Sequence, residues 1–555
     1  MGGRATCLPW LLFAVVALCS AGAFSTIVDY KAATLPSGRS VVGLPHVDLL
    51  VYYACARETW DEHSILCYAS PYSSLQDSPR VYSHFGFLVM GIVWRGLGLT
   101  LFQADQLLRM VFGTLMLVLG AGVVRTALPM HERDKPIALA GYVLVICGGG
   151  VAWLAGLWQL VADWVMVWVV DGVRLESGAW FSTWPQAVES AEGGYGEWGA
   201  SPVRVLFSVP ECIYHVLFFG CMLSLLQGRK ALGLLLLFLT WWSHPFTGAL
   251  LGCIVCVYSV AQYTRRSGDL WFVAAAGTLQ VVFMTYYLLY LPRFPEHLTV
   301  SKQMAGFSAS MLLSKMLPAY GLLVLLPFAN VKRWRRTSAK ADSSDILMCT
   351  WLACELLLMF HDRITSTPMQ PMHFTRGYLY LPLVYFSVRA LHQLPGLAHA
   401  RKYQLYCAGL LLLMQLPDTV LYLSRLPEQL RRGEMHFSVQ HDILNTLQKL
   451  DGIKDTLTIH VLVSANMRSA EGLIPVLTHH RALKAHTFNV PFLPEKNLYT
   501  RALESALDDN LPGRFGLNAL IVGAEQARQL SDQGLSIGAP MNLEGERYLV
   551  RVPSL

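Results

Sequence analysis

Residues 231–263 read ALGLLLLFLTWWSHPFTGALLGCIVCVYSVAQY and contain no Asp, Glu, Lys or Arg. A membrane span needs about 20 apolar residues to cross a hydrocarbon core of about 30 Å. This stretch is longer than one span, and the polar turn around His244 interrupts it. We therefore predict two short apolar helices, 231–242 and 245–263, that meet at a polar break on the outer side of a membrane.

The whole chain shares this apolar character, since 54% of its 555 residues are hydrophobic and only 14% are charged. An average soluble domain is about a quarter charged. The few charges of this chain could therefore not cover the apolar surface of a soluble fold. The net charge is only +6, and basic residues come in short clusters, as in cytoplasmic loops. We expect membrane lipids as partners and no nucleic acid, whose binding needs a concentrated basic patch.

Similar apolar runs recur along the chain and predict an α-helical polytopic membrane protein with about 11 to 13 transmembrane helices. The candidate spans are 9–25, 85–102, 107–127, 136–156, 157–170, 205–226, 231–242, 245–263, 270–290, 308–330, 345–361, 378–392 and 404–423. In residues 1–25, Arg4 precedes the apolar run, which is typical of a signal sequence retained as an anchor. The transmembrane bundle is expected over 85–423.

Basic clusters between these spans predict the orientation of the protein. Four clusters fall on one side, which is then cytoplasmic: Arg229-Lys230, Arg265-Arg266, Lys332–Arg336 and Arg401-Lys402. The cluster His131–Lys135 lies outside if 85–102 is a full span, and inside if that segment is only a half-buried helix and 157–170 is interfacial. The C-terminal tail falls on the outer side, which is lumenal in an endoplasmic reticulum membrane or periplasmic in a bacterial inner membrane.

The tail, residues 424–555, differs from the rest because its apolar residues are periodic and its charges frequent. Two segments, His441–Leu450 and Arg501–Asp508, have the pattern of helices. Three runs have the pattern of strands: Thr456–Val463, Asn518–Val522 and Tyr548–Val552. We predict a small extramembrane α/β domain on the outer side.

The first outer loop, residues 26–84, is too long and too polar for a simple connector. It carries four acids that could do chemistry: Asp48, Glu58, Asp61 and Glu62. A carboxylate near the membrane surface can act as a general base on a hydroxyl or an amine. The alternative is an ordinary solvated loop that caps the bundle.

A second group of polar residues lies in 361–377, where His373 and Arg376 stand at the mouth of the next span. Charges at such a boundary are costly unless they have a partner, and an arginine fork suits phosphate oxygens. Arg363 and His244 are further candidates for the same role. The alternatives are an arginine that snorkels from a helix end and a structural His244.

No pattern predicts a metal or nucleotide site. The tail residues His479, His480 and His486 fit no standard zinc spacing. The chain also lacks a G-x-x-x-x-G-K-[ST] sequence, so nothing suggests an ATP-driven pump. We expect no cofactor and no metal ion.

The arrangement resembles the GT-C superfamily of membrane glycosyltransferases, which use polyprenyl-phosphate-linked sugars. Three stretches after the first span carry most of the resemblance: His46-Val-Asp48-Leu-Leu-Val-Tyr-Tyr53, Ser70-Pro-Tyr72 and Pro79-Arg-Val-Tyr82. Many spans and a soluble outer tail follow, as in that superfamily. The resemblance implies that the loop acid is the catalytic base, which here is Asp48. Val47 stands beside it where many members have a second acid, so Glu58, Asp61 and Glu62 are fallback candidates.

The resemblance also implies that basic residues of later outer loops bind the phosphate of a polyprenyl or dolichyl donor. By position these are Arg376 and His373, with Arg363 and His244 behind them. The implied reaction is a direct displacement on the sugar, with a glycan, lipid or protein as acceptor and no metal required. Two other functions remain open: a transporter or flippase, which should carry charges deep in its spans, and a non-catalytic scaffold whose tail is a binding module.

Overall fold

The structure is a computed structural model. It describes residues 38–42, 47–61, 66–73, 78–128, 135–149, 154, 202, 204–265, 268–306, 316, 319–327, 342–365, 370–393, 401–421, 438–461, 470–483, 490–506, 517–532, 535–541 and 547–552. The chain divides into two compact units. Unit 1 comprises Met1–Ala23, Arg109–Phe283 and Phe307–Pro427, and unit 2 comprises Phe24–Leu108, Met284–Gly306 and Glu428–Leu555.

Helices dominate both units, and we number them in chain order. They are α1 Val47–Asp61, α2 Phe85–Gly91, α3 Leu101–Ala127, α4 Lys135–Cys147, α5 Val209–Leu226, α6 Lys230–Ser243, α7 Pro245–Thr264, α8 Leu270–Thr285, α9 Pro295–Gly306, α10 Ser343–Met359, α11 Tyr380–Gln393, α12 Arg401–Gln415, α13 His441–Asp451, α14 Ile474–Leu477, α15 Leu493–Ala506 and α16 Ala524–Asp532. Short helical turns at Ile92–Gly96 and Tyr286–Arg293 extend α2 and α8.

Five helices of the described part are long and apolar enough to cross a membrane. They are Leu101–Ala127, Val209–Leu226, Pro245–Thr264, Leu270–Arg293 and Lys402–Leu421. With the apolar composition they make the chain an integral membrane protein with a helical bundle, as predicted. The predicted spans 9–25 and 157–170 lie outside the described residues, and 308–330 is described only in part.

The segment 85–102 was predicted as a full span, and the structure shows a shorter helix there. Helix α2 and its π-helical extension end at Gly96, and α3 begins at Leu101. Gly98 between them has a φ of +66°, which a glycine adopts at little cost. The break therefore follows from a glycine-rich turn that hydropathy alone does not reveal, and it agrees with the half-buried alternative.

The predicted polar break in residues 231–263 is confirmed. Helix α6 ends at Ser243 and α7 begins at Pro245, with His244 extended between them and accepting a hydrogen bond from the Thr247 amide. The Pro245 ring fits the first helical position, where no amide donor is required. Because the ring nitrogen of His244 caps α7, the break presents a histidine in a fixed position.

Unit 2 contains the strands of the described chain. A two-stranded antiparallel sheet pairs β1 (Arg39–Val41) with β2 (Ser438–Gln440). A mixed five-stranded sheet has the order β4-β3-β5-β7-β6, with strands β3 Thr458–Val461, β4 Arg481–Ala482, β5 Ala519–Gly523, β6 Ile537–Pro540 and β7 Arg547–Arg551. The strands β3, β4 and β5 run parallel, and β7 is antiparallel to both β5 and β6.

The tail is thus the predicted α/β domain. The predicted helix at His441–Leu450 is α13, with Ile443, Leu447 and Leu450 buried. The predicted helix Arg501–Asp508 begins earlier, at Leu493. Strands β4 and β6 were not predicted, because β4 is only two residues long and β6 contains a glycine and a proline.

Candidate functional site

An ion pair in unit 1 joins a residue at the start of α5 to a residue in the turn before α11. Arg376 Nη1 donates a hydrogen bond to Glu211 Oε1 over 2.9 Å. Glu211 lies in the first turn of α5 and is buried, and the Arg376 side chain is 24% exposed. The positive end of the helix dipole favours a carboxylate at that position. The pair therefore fixes a partly accessible guanidinium at the mouth of the bundle.

The turn that carries Arg376 depends on a glycine. Gly377 has a φ of +72°, and a Cβ atom added there would lie 2.8 Å from Nε2 of His215. Both facts exclude a side chain at this position without local rearrangement. The close approach allows the His215 ring to contact the backbone of the turn.

His215 ties this turn to α5. Its Nε2 lies 2.8 Å from the Arg376 carbonyl oxygen, and its Nδ1 lies 2.7 Å from the Glu211 carbonyl oxygen. The side chain is fully buried. Since carbonyl oxygens only accept, the ring donates to at least one of them. His215 thus fixes the backbone at Arg376, while Glu211 fixes its side chain.

Tyr378 continues this cluster on the other side of the glycine. Its ring stacks on His215 with centroids 4.3 Å apart. Its hydroxyl lies 3.1 Å from Thr247 Oγ1, which in turn lies 2.8 Å from His244 Nδ1. The His244 ring also stacks on Tyr214 at 4.4 Å. The helix break at His244 and the turn at Arg376 therefore belong to one polar cluster in unit 1.

His373 lies in the short helix Pro371–Phe374, just before this turn. Its ring stacks on Phe246 at 4.5 Å and lies 5.6 Å from the His244 ring. Burial lowers the pKa of His373 well below its ordinary value, and the nearby charge of Arg376 acts in the same direction. At pH 7 the ring is therefore neutral and can donate or accept a hydrogen bond, whereas Arg376 supplies the positive charge.

The structure thus brings together three of the four predicted phosphate-binding residues, namely His244, His373 and Arg376. The fourth, Arg363, is exposed and lies in the short helix His361–Arg363. Sequence reasoning missed Glu211 and His215, although the signal was present. An acid and a histidine four residues apart inside an apolar span are costly unless they have partners, and that spacing places both on one helix face.

The predicted acids of the first outer loop lie in unit 2. Asp48 is half-buried in the first turn of α1, where it precedes the buried residues Leu49 and Leu50. Glu58 is half-buried in the same helix. Glu62 lies outside the described residues.

Asp61 has a different environment, because it is engaged by two arginines. Arg57 Nε donates to Asp61 Oδ2 over 2.7 Å, and Arg95 Nε lies 3.4 Å from Asp61 Oδ1. Arg57 is buried, and a second carboxylate, Asp451 of α13, lies 3.9 Å from it. Burial lowers the pKa of Arg57, and Asp61 and Asp451 oppose that shift. Asp61 thus serves as the counterion of a buried cation.

The histidines of the tail are held by structural contacts. The His480 Nε2 donates to the Leu450 carbonyl over 2.6 Å, and its Nδ1 accepts from the Leu457 amide over 3.2 Å. His479 Nδ1 lies 3.4 Å from Asp451 Oδ1. Within the described ranges, no group of three or more His, Cys, Asp or Glu residues could hold a metal ion. His486 lies outside those ranges.

The chain matches no family model, and it matches no curated protein in sequence. Among solved structures, it is similar to the oligosaccharyltransferase AglB of Archaeoglobus fulgidus in complex with an inhibitory peptide and a dolichol-phosphate. That match has 13% identity and a TM-score of 0.44, and it covers 98% of this chain and 76% of AglB.

ArnT of Cupriavidus metallidurans in the apo state is also similar, with 12% identity and a TM-score of 0.44. This match covers 99% of this chain and 98% of ArnT. A structure of an Archaeoglobus fulgidus oligosaccharyltransferase with zinc and sulfate has 11% identity and a TM-score of 0.43, over 98% of this chain and 73% of the matched chain. At this level of similarity, the substrate and the chemistry have to be inferred from the residues of this chain.

Proposed function

We propose that this chain is a membrane glycosyltransferase that moves a sugar from a polyprenyl-phosphate-linked donor to an acceptor on the lumenal or periplasmic side. The observation that supports the proposal is the fixed position of the Arg376 guanidinium, which forms an ion pair with Glu211. An arginine fixed by Glu211 and by His215 at the mouth of a membrane bundle suits an anionic headgroup of a lipid. The lipid chain would lie against the apolar helices.

The donor's leaving group is a lipid phosphate. In the proposed reaction, the acceptor oxygen or nitrogen attacks the anomeric carbon, and the bond from that carbon to the phosphate oxygen breaks. The electron pair of the broken bond stays on the phosphate, where Arg376 stabilises the charge and His373 donates a hydrogen bond. The acceptor's proton passes to Asp48 as general base. No general acid is required, because the phosphate leaves as a stable anion.

Asp48 is a better candidate for the base than Asp61. A general base needs a carboxylate with access to the acceptor, and Asp48 is half-buried at the start of α1. Asp61 is the counterion of Arg57 and Arg95.

The proposal is tested by sugar transfer from a lipid-linked donor in membranes that contain the full chain. Asp48→Asn keeps the size of the side chain and removes the base, so we expect transfer to fall about 100-fold or more. Asp455→Asn is the matched control, because Asp455 lies in the tail with a side chain that is 80% exposed. Undiminished transfer by Asp48→Asn would remove Asp48 from the mechanism, and no transfer by the wild type from a panel of lipid-linked sugars would contradict the proposed function.

A transporter or flippase is the second candidate, and the buried ionisable residues of the helices favour it. Glu211 and His215 in α5 and Glu355 in α10 are all buried, and such residues mark substrate or proton paths in transporters. Substrate-dependent flux in proteoliposomes without sugar transfer would support this function. Transfer without flux would support the glycosyltransferase.

A further inference from the structure

A lysine and two carboxylates are buried together in unit 2, apart from the residues discussed so far. Lys496 near the start of α15 is fully buried, and Glu296 of α9 and Glu471 before α14 are 2% and 3% exposed. Both carboxylates act electrostatically on Lys496. Lysine is almost never fully buried unless it is paired. Burying charged groups has a desolvation cost that apolar side chains in the same place would not have. We therefore expect the cluster to have a specific role, which its contacts indicate.

The partner of Lys496 is the first outer loop. Its Nζ donates to the Tyr72 carbonyl oxygen over 3.3 Å, across 424 positions of sequence. Arg481 of β4 donates from Nη1 to the next carbonyl, that of Ser73, over 3.4 Å. Two cations of the tail therefore bind consecutive carbonyls of the loop.

Glu296 holds the same part of the loop through its side chain. The hydroxyl of Ser73 donates to Oε1 of Glu296, and that of Ser78 donates to Oε2 over 2.9 Å. A carboxylate that accepts from two hydroxyls and faces a buried ammonium has its charge satisfied. The loop thus lies between cations of the tail and an anion of α9.

This loop segment is packed against the helix that carries Asp48. The Tyr68 amide donates to the Tyr82 carbonyl over 2.7 Å, and the Tyr68 ring contacts Phe87 at 6.1 Å. Phe87 in turn contacts Tyr52 of α1 at 5.6 Å. Helix α14 of the tail also packs directly on α1. A shift of the loop at Tyr72 would therefore be transmitted to α1.

We infer that Lys496 is a positioning residue through which the C-terminal domain fixes the first outer loop, and with it the helix of Asp48. The tail is then part of the catalytic scaffold, and not an independent binding module. The effect on transfer rests on the proposed function, whereas the effect on the loop does not.

The charge of Lys496 provides a test by pH. Burial lowers the pKa of Lys496 to about 8, and Glu296 and Glu471 oppose that shift. Two further ionisable groups contact the same cluster in the described chain: Arg481 on β4 binds the Ser73 carbonyl, and His460 on β3 has its Nδ1 3.2 Å from Glu471 Oε1. Above about pH 8 the lysine of the folded wild type loses its proton, whereas a solvated lysine keeps its proton up to about pH 10.4. An arginine at this position would stay charged.

Hydrogen exchange of the full chain in detergent measures the loop directly. We expect Lys496→Met to raise the exchange of residues 66–73 about tenfold or more relative to the wild type, and to leave β5 unchanged. Lys496→Arg should keep the wild-type protection, and Lys454→Met, at an exposed lysine, is the control. Because an open loop exposes Lys496 and lets it bind the proton more tightly, protection of 66–73 in the wild type, corrected for the intrinsic exchange rate, should rise between about pH 8 and about pH 10, and Lys496→Arg should lack this rise.

Unchanged exchange in Lys496→Met would overturn the inference. Faster exchange that also covers β5 would overturn it too, because Lys496 would then serve only the stability of the tail. In the transfer assay, we expect Lys496→Met to lower kcat about tenfold with little change in the KM for the donor. A wild-type chain without transfer would refute the proposed function, and the exchange data would still decide the role of Lys496.

Discussion

The side chains of Arg376 and Glu211, 165 positions apart in sequence, form a hydrogen-bonded ion pair of 2.9 Å in unit 1. Glu211 comes from the start of the membrane helix α5, and Arg376 from a turn just before the shorter helix α11. Removing one member of a buried pair leaves an uncompensated charge, which costs more than the pair itself contributes. The pair therefore explains how an arginine can be held among apolar helices, and it leads to two predictions.

Arg376→Lys should lower sugar transfer even though the positive charge is kept. A lysine ammonium cannot bind two phosphate oxygens in the planar geometry of a guanidinium, so we expect a loss of about 1–3 kcal/mol of donor binding. The measurement is kcat/KM for the lipid-linked donor, which should fall about tenfold or more. Arg528→Lys, at an exposed position of α16, is the control, and equal activity of the two variants would exclude a phosphate-binding fork.

The ion pair should appear as a thermodynamic coupling. Glu211→Gln and Arg376→Gln should each lower the thermal stability of the purified protein, and the double variant should be less destabilised than the sum. We expect a coupling of about 1–2 kcal/mol. The exposed pair Lys230–Asp269 is the matched control, and its coupling should be too small to resolve. Additive effects at Glu211 and Arg376 would mean that the contact contributes nothing.

The membrane helices and the tail could be predicted from sequence because both depend on local patterns. In 231–263, hydropathy predicts the two helices, and His244-Pro245 predicts the break between them. The spacing of the apolar residues predicts α13. Hydropathy does not predict that the helix at 85–96 is short. Its end depends on the backbone conformation of Gly98 and not on polarity. Hydropathy reports the environment of a residue, and it is less informative about where a helix stops.

The candidate site was found only in part because its partners are distant in sequence. Position at a span boundary pointed to Arg376 and His373, whereas Glu211 was hidden inside a predicted span. Which acid pairs with Arg376 is decided by the packing of α5 on the turn at Gly377. In the same way, no local pattern indicates that Lys496 reaches Tyr72. Such contacts come from tertiary structure, and a single sequence does not encode them locally.

Gly377→Ala should destabilise unit 1 and disturb the cluster around Arg376. An alanine at a φ of +72° costs about 1–2 kcal/mol, and its Cβ would lie 2.8 Å from the His215 ring. We expect a total loss of about 3 kcal/mol and a marked fall in thermal stability. Gly409→Ala is the control, because nothing lies within 4 Å of a Cβ in that helix and alanine favours helix. Equal stability of the two variants would refute the tight approach of His215 to the turn.

His480 should make the stability of the tail depend on pH. Its Nδ1 accepts from the Leu457 amide while its Nε2 donates to the Leu450 carbonyl, so the folded tail requires the neutral ring. Burial lowers the pKa of His480 to about 4, from an ordinary value of 6.5. The unfolded chain therefore binds the proton first, and stability falls as the pH drops from about 6.5 to about 4. Exchange of the β3 amides in the full chain, corrected for intrinsic rates, should rise over that range. His480→Gln can keep one donor and one acceptor without titrating, so its exchange should depend less on pH; an identical pH dependence in this variant would assign the effect to another group.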